Sequence, residues 1–271
     1  MTSAVTELDE PYVLPSSACR DFDADGFVHL AGVLSAQAVA AVEPAITGKV
    51  IELNTMDLPM AERTTYQQAF LQIENLWRHD SQVRELVFAR RLARIAAELL
   101  GVDGVRLYHD QALYKEAGGG VTPWHADQYY WPLATDRSVT AWVPLQETPL
   151  AMGPLSFARG SQRMSLGRDL PISDESEAAL QQALAGRRFP LAQEPFALGD
   201  VSYHLGWTFH RAEANTTPAP RRVMTIIYID ADAAVAEPVN DFQRGDLANF
   251  LGSTPAGQVP GTDLNPVLYR R

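Results

Sequence analysis

The sequence has one cysteine, a deficit of positive charge and no long apolar run. Because Cys19 is the only cysteine among 271 residues, neither an internal disulfide nor a thiolate metal cluster can form. A reducing cytoplasm is the expected setting. Lys and Arg number 22 against 33 Asp and Glu, a net charge of −11, so the basic surface that nucleic-acid phosphates require is missing. No stretch approaches the roughly 20 apolar residues that cross a bilayer. The opening MTSAVTELDEPYVLP lacks the basic start and apolar run of a secretory leader. Internal repeats and low-complexity tracts are also absent. What remains, 46% hydrophobic and 20% charged, is the composition of a globular chain with ample core. We expect a single domain over 1–271 that acts on a small molecule and has no nucleic-acid or membrane partner.

The first hundred residues read as largely helical. Residues 1–18 predict a partly ordered arm, and Asp25-Gly26 a turn before a short strand at Phe27–Leu30. Ser35 caps a helix to about Ile46, with Pro44 as kink or stop. A second helical region is expected within Met60–Trp77. The clearest helix is Ser81–Leu100, with apolar side chains at Val83, Leu86, Val87, Leu92, Ile95, Ala96 and Leu99 and Gly101 at its end. Beyond it the period changes to two. Val105–Lys115 and Val139–Gln146 alternate between faces, Leu155–Phe157 and Val201–Leu205 are short strands, and the apolar run Val223–Ile229 predicts a strand buried on both faces. Asp174–Leu184 is helical, with Asp174 and Glu177 spaced as a capping pair. Pro238–Arg271 predicts an irregular C-terminal arm. The fold class is therefore mainly β with flanking helices: a double-stranded β-helix (jelly roll) behind an N-terminal helical layer.

The chemistry concentrates in Thr122–Leu133, TPWHADQYYWPL. In an extended segment side chains repeat every second residue, so His125 and Asp127 share a face and can reach one metal ion. The best candidate for a third ligand is His210, with His204 as its rival. Two imidazoles and one carboxylate leave open positions on an octahedral ion, the arrangement suited to non-haem Fe(II) oxygenases. By itself, H-x-D reads equally well as an N-cap Asp beside a packed His.

The wider pattern resembles the phytanoyl-CoA dioxygenase family of Fe(II)/2-oxoglutarate oxygenases. That family follows its W-H-x-D with a later His, an Asn five residues on and an Arg eleven residues on, as His210, Asn215 and Arg221 stand here. Asp25-Gly26-Phe27, Gly32-Val33-Leu34-Ser35, Trp142, Gly153-Pro154-Leu155 and Gly160-Ser161 extend the resemblance over most of the chain. Gly153-Pro154 replaces the common Gly-Gly or Asn-Gly, and Gln162 stands where a His is usual. The resemblance implies that His125, Asp127 and His210 bind Fe(II), that 2-oxoglutarate and O2 are cosubstrates, and that Arg221 grips the distal 2-oxoglutarate carboxylate. Arg222 is the alternative anchor. Trp142 and Gln111 fall where the family contacts the cosubstrate, and His109 shares a strand face with Gln111. Related halogenases replace the carboxylate with a small residue, so Asp127 implies oxygenation-type chemistry. DQALYKEAGGGVTPWHADQYYWPL looks most like bacterial members that tailor secondary metabolites, including those acting on the aminosugar of the anthracycline nogalamycin. Hydroxylation, cyclisation and epimerisation all remain open. So does a non-redox, metal-dependent cupin-like isomerase or hydrolase, which needs no Arg221.

Overall fold

Alternation along one central strand sets the architecture. The computed structural model describes residues 4–271. In order, its elements are α1 (Ala4–Asp9), α2 (Ala18–Asp25), β1 (Phe27–Leu30), α3 (Ala36–Leu53), α4 (Thr65–Ala69), β2 (Leu71–Glu74), α5 (Ser81–Val87), α6 (Arg90–Leu100), β3 (Gly104–Lys115), β4 (Thr122–His125) and β5 (Ser138–Pro144). There follow β6 (Leu155–Ala158), α7 (Asp174–Arg187), β7 (Leu191–Gln193), β8 (Val201–Leu205), β9 (His210–Ala212), β10 (Arg221–Asp230), α8 (Asp241–Asn249) and β11 (Val267–Arg270). The strands form a seven-stranded sheet, β1-β8-β5-β10-β3-β11 with β2 also on β3, and a four-stranded sheet, β4-β9-β6-β7. Among the described residues these strands all pair antiparallel, as a jelly roll requires.

β10 is central to the larger sheet and buried on both faces. Met224, Ile226 and Tyr228 join the helix-covered core with α6, while Val223, Ile227 and Ile229 join clusters on the opposite face. The same parity puts Val139, Ala141 and Val143 of β5 and Tyr203 of β8 against the helices. Ser138, Thr140, Trp142, Ser202 and His204 are left for the interior between the sheets. The jelly roll and its helical layer thus follow from two-faced strands.

Several local expectations are corrected. The helix expected over Ser81–Leu100 breaks, with Phe88 ending α5 and Ala89, at φ −53° and ψ 114°, starting α6. The apolar phase explains it: after Val87 a continuous helix turns Arg90 and Arg91 inward, and the break brings Leu92 round instead. Arg91 then pairs with Glu7 at 3.0 Å and donates to the Val33 carbonyl. α3 runs through Pro44 to Leu53, so that proline does not stop it. Met60–Trp77 holds the short helix α4 and the strand β2, which pairs with β3. α7 is capped by Ser173 and Ser176 in place of Asp174 and Glu177.

Both segments expected to be arms carry regular structure. Residues 1–3 lie outside the described residues, but Leu8 of α1 is in the core and Glu7 accepts from Ser35 N at 2.7 Å. Within 238–271, Asn240 caps α8 by accepting from Gln243 N, and β11 pairs with β3. Asn265 donates to the carbonyls of Leu107 and Tyr108, beside a bulge in β3. Here polar capping and edge pairing supply the order that a low apolar content does not advertise.

Candidate metal centre

Three side chains converge between the sheets. His125 ends β4 and pairs across to His210, which opens β9. Asp127 lies two residues past the end of the strand, at the start of a single 3-10 turn, Asp127–Tyr130. Intervening Ala126 is extended, at φ −126° and ψ 129°, so the two side chains stay on one side as their spacing implied. Asp127 Oδ1 lies 3.5 Å from His125 Nε2 and 3.6 Å from His210 Nε2. One ligand atom from each of the three residues falls within 4.8 Å of the others. Cis ligands on an octahedral ion with bonds of roughly 2.1 Å sit roughly 3 Å apart, so a small inward adjustment closes the set.

The surroundings fix which atoms are free. Nδ1 of His125 faces the Pro123 carbonyl at 2.7 Å, and Nδ1 of His210 the Thr208 carbonyl at 3.0 Å. Each carbonyl accepts from an Nδ1–H, which leaves both Nε2 lone pairs pointing at Asp127. Asp127 Oδ2 is occupied differently. It accepts from Thr140 Oγ1 at 2.9 Å and from His204 Nε2 at 3.1 Å, so Oδ1 is the oxygen left for a cation. Burial alone pushes the Asp127 carboxyl up, but the imidazoles of His210, His125 and His204 ringed about it outweigh that and hold it well below the usual range. Burial, with His125 alongside, depresses His210 strongly, so its ring is neutral. Two imidazoles and one carboxylate are a borderline-to-hard donor set that suits Fe(II).

The triad opens onto a cavity of about 460 Å³. Arg221, at the start of β10, lines it and is 1% exposed. Its Nη1 donates to the Gly153 carbonyl, its guanidinium carbon lies 5.5 Å from the Trp142 ring, and its Nε is buried without a partner. Gly153 is held at φ +65°, where an added Cβ would meet the Glu213 carbonyl at 2.1 Å, so only glycine presents that carbonyl to Arg221. No carboxylate pairs with Arg221 among the described residues. Burial lowers it to about 9. A buried guanidinium with a spare donor beside the orphaned Trp142 Nε1 calls for an anionic ligand, and a dicarboxylic acid fits.

Arg222 faces the other way, pairing with Glu43 and donating to Gln146 Oε1 at 2.6 Å, as strand parity demands. Gln111 also lines the cavity, accepting from Gln72 Nε2 at 2.5 Å. Asn215, 1% exposed, donates to the carbonyls of Lys115, Glu116 and Ala219 and so ties down the loop before Arg221. Of the aromatic run, Trp124 is core, whereas Tyr130 and Trp131 line the cavity. Sequence reasoning weighed His204 as a ligand; it stands behind the carboxylate instead. Thr140 binds the same carboxylate. Their cross-strand pairing in β5 and β8 becomes visible only with the register.

A sequence model of phytanoyl-CoA dioxygenase (PhyH) matches residues 22–223. The chain belongs to the phytanoyl-CoA dioxygenase family. It is accordingly an enzyme, a non-haem iron and 2-oxoglutarate-dependent dioxygenase. A probable alpha-ketoglutarate-dependent hypophosphite dioxygenase of Stutzerimonas stutzeri is 23% identical over 230 residues, covering 79% of this chain and 78% of that protein. Among solved structures, this phytanoyl-CoA dioxygenase family member is similar to the non-heme alpha ketoglutarate dependent carbocyclase SnoK from nogalamycin biosynthesis. The TM-score is 0.77 at 26% identity, over 95% of this chain and 99% of that one. The epimerase SnoN, in complex with Fe3+, alpha ketoglutarate and nogalamycin RO, aligns at TM-score 0.76 and 25% identity, over 93% and 97% of the two chains. Among the described residues, no helix is long and apolar enough to cross a membrane.

Proposed function

We propose that this dioxygenase activates a C–H bond of a small-molecule secondary metabolite, with an anthracycline aminosugar as the leading candidate. Fe(II) is held by His125 and His210 through Nε2 and by Asp127 through Oδ1. Arg221 takes the distal carboxylate of 2-oxoglutarate, with Trp142 and Gln111 along the same cavity. Bound there, iron and 2-oxoglutarate supply an O2-driven oxidation in which the cosubstrate leaves as succinate and CO2.

The chain's own part is to position and to exclude. Thr140 and His204 keep Asp127 Oδ2 engaged, so Oδ1 is the oxygen that would hold the metal. Arg221 sets the direction of the cosubstrate through a planar fork of donors. The aromatic wall keeps water from the reacting carbon. Hydroxylation, ring closure and epimerisation differ in how the substrate radical is intercepted, and the similar proteins SnoK and SnoN, a carbocyclase and an epimerase, support the last two as outcomes. We further infer a single domain over 1–271 and a cytoplasmic setting, in keeping with the lone cysteine.

The observation that carries this reading is Arg221, a buried cation with no acidic partner in the cavity that holds the triad. A non-redox isomerase or hydrolase on the same ligands has no use for it. Purified protein supplied with Fe(II) in air is expected to consume 2-oxoglutarate and release succinate; no release with any candidate substrate counts against the proposal.

A further inference from the structure

Two carboxylates on the cavity wall have no cation. Glu74, at the end of β2, and Asp246, on α8, both line the cavity, and neither makes a salt bridge among the described residues. On the reading above, Asp127 is matched by the metal and Arg221 by the cosubstrate, which leaves these two charges over. Their remaining contacts are neutral. Gln72 Nε2 donates to Glu74 Oε1 at 3.1 Å, and Tyr108 Oη to Asp246 Oδ2 at 2.8 Å, so one oxygen of each carboxylate has no protein donor. Burial pushes the Glu74 carboxyl up, and burial with Glu74 nearby takes Asp246 to about 7. Burial is the first cause of both shifts, and an ammonium group beside the pair would lower them.

A third group points to the same ligand independently. His109 is 5% exposed and lines the cavity, with Nδ1 facing the Asp110 carbonyl at 3.3 Å and Nε2 making no hydrogen bond among the described residues. Burial lowers it to about 4, so the ring is neutral, Nδ1 carries the hydrogen and Nε2 offers a lone pair to the cavity. The bulge in β3 produces this orientation. His109 opposes Ile227 and Leu107 opposes Tyr228, so Tyr108 is the extra residue, and it and His109 both turn inward. Phe250 stacks on His109 at 4.3 Å, and Phe242, Asp246 and Phe250 share one face of the α8 segment.

We propose that Glu74, Asp246 and His109 form a receptor for an ammonium group carried by the organic substrate. Three acceptors on a wall shared with Phe242, Phe250 and Tyr130 suit a charged N–H donor, which hydrogen-bonds to the acceptors while its alkyl carbons meet the rings. A neutral polyol gains no charge pairing from these two carboxylates, whereas an ammonium group does. The receptor lies across the sheet from the metal ligands: His109 is on β3 and Thr140, which touches Asp127, is on β5, two strands away or roughly 10 Å. The substrate would therefore be held by its nitrogen with a carbon about one sugar ring distant brought to the metal ligands.

The test compares the methyl glycosides of glucosamine and of glucose, titrated calorimetrically into anaerobic enzyme loaded with Fe(II) and 2-oxoglutarate. The amine is expected to bind at least about tenfold tighter than the hydroxy compound. Glu74→Gln with Asp246→Asn should erase that preference, and each single change should reduce it. Equal affinities, no binding of either glycoside, or a preference that survives the double substitution overturns the receptor. Visible absorption of the Fe(II)–2-oxoglutarate complex is recorded in the same samples and shows that the variants still assemble the centre. Selective amine binding without that absorption locates the failure in the metal-and-cosubstrate reading instead.

Discussion

His204 and Asp127 meet at 3.1 Å, imidazole to outer carboxylate oxygen, across the interior of the two sheets. His204 is 1% exposed, and its Nδ1 has no partner, so the ring contributes a single hydrogen bond, and Asp127 receives it. Thr140 donates to the same oxygen from the neighbouring strand. Together they leave the carboxylate one free oxygen and one orientation.

Removing either donor should weaken the metal without removing a ligand. His204→Phe and Thr140→Val are expected to lower Co(II) affinity on the order of ten- to a hundredfold, the usual effect of losing a partner behind a ligand. Thr140→Ser, which keeps the hydroxyl, should stay near wild type. Calorimetric or spectroscopic Co(II) titration reads this directly. Equal affinity in all three variants shows that the two donors merely fill space.

Arg221 and Arg222 are adjacent, yet only the first faces the cavity. Arg221→Ala should raise the 2-oxoglutarate concentration needed for half-maximal turnover on the order of a hundredfold, since a charged partner buried in the complex is lost. Arg222→Ala removes a pair with Glu43 on the outer face and should change that concentration by no more than about twofold. Similar effects from both reassign the anchor.

Asp110 gives a pH signature unrelated to catalysis. It is fully buried, one oxygen accepts from Leu76 N at 2.9 Å, and the other has no partner. Burial raises it to about 7. The folded state therefore binds its proton more tightly than the unfolded state. Its contribution to stability is full below the ordinary carboxyl value of 3.8 and is lost as pH climbs through about 7. Asp110→Asn should then stabilise the protein more at about pH 8 than at about pH 5, relative to wild type at each pH. Thermal melts at the two pH values check this, and a difference that is the same at both rules the assignment out.

The parts of the site that were legible in the sequence are those set by short spacing or strand parity. His125 and Asp127 are separated by one residue, and Arg221 and Arg222 by none, so extended backbone alone decides what each pair can do. Helices with an unbroken apolar period were equally readable. The break at Phe88–Ala89 was not, although the arginines at 90 and 91 carried the phase slip that causes it. His204 and Thr140 needed the pairing of β5 with β8, a contact between residues 64 apart (204 − 140) that no local pattern encodes. Glu74 and Asp246 stand on elements read as helix and as irregular arm, so their approach to one cavity could not be foreseen. His109 turns inward beside a bulge whose position depends on its partner strand.

The central claim is that the carboxylate between the two imidazoles holds the iron that turns over 2-oxoglutarate. Succinate release by wild type and by Asp127→Ala, measured side by side with Fe(II) and saturating 2-oxoglutarate, tests it most directly. The account predicts that the variant loses most of the turnover; release undiminished in Asp127→Ala would contradict it.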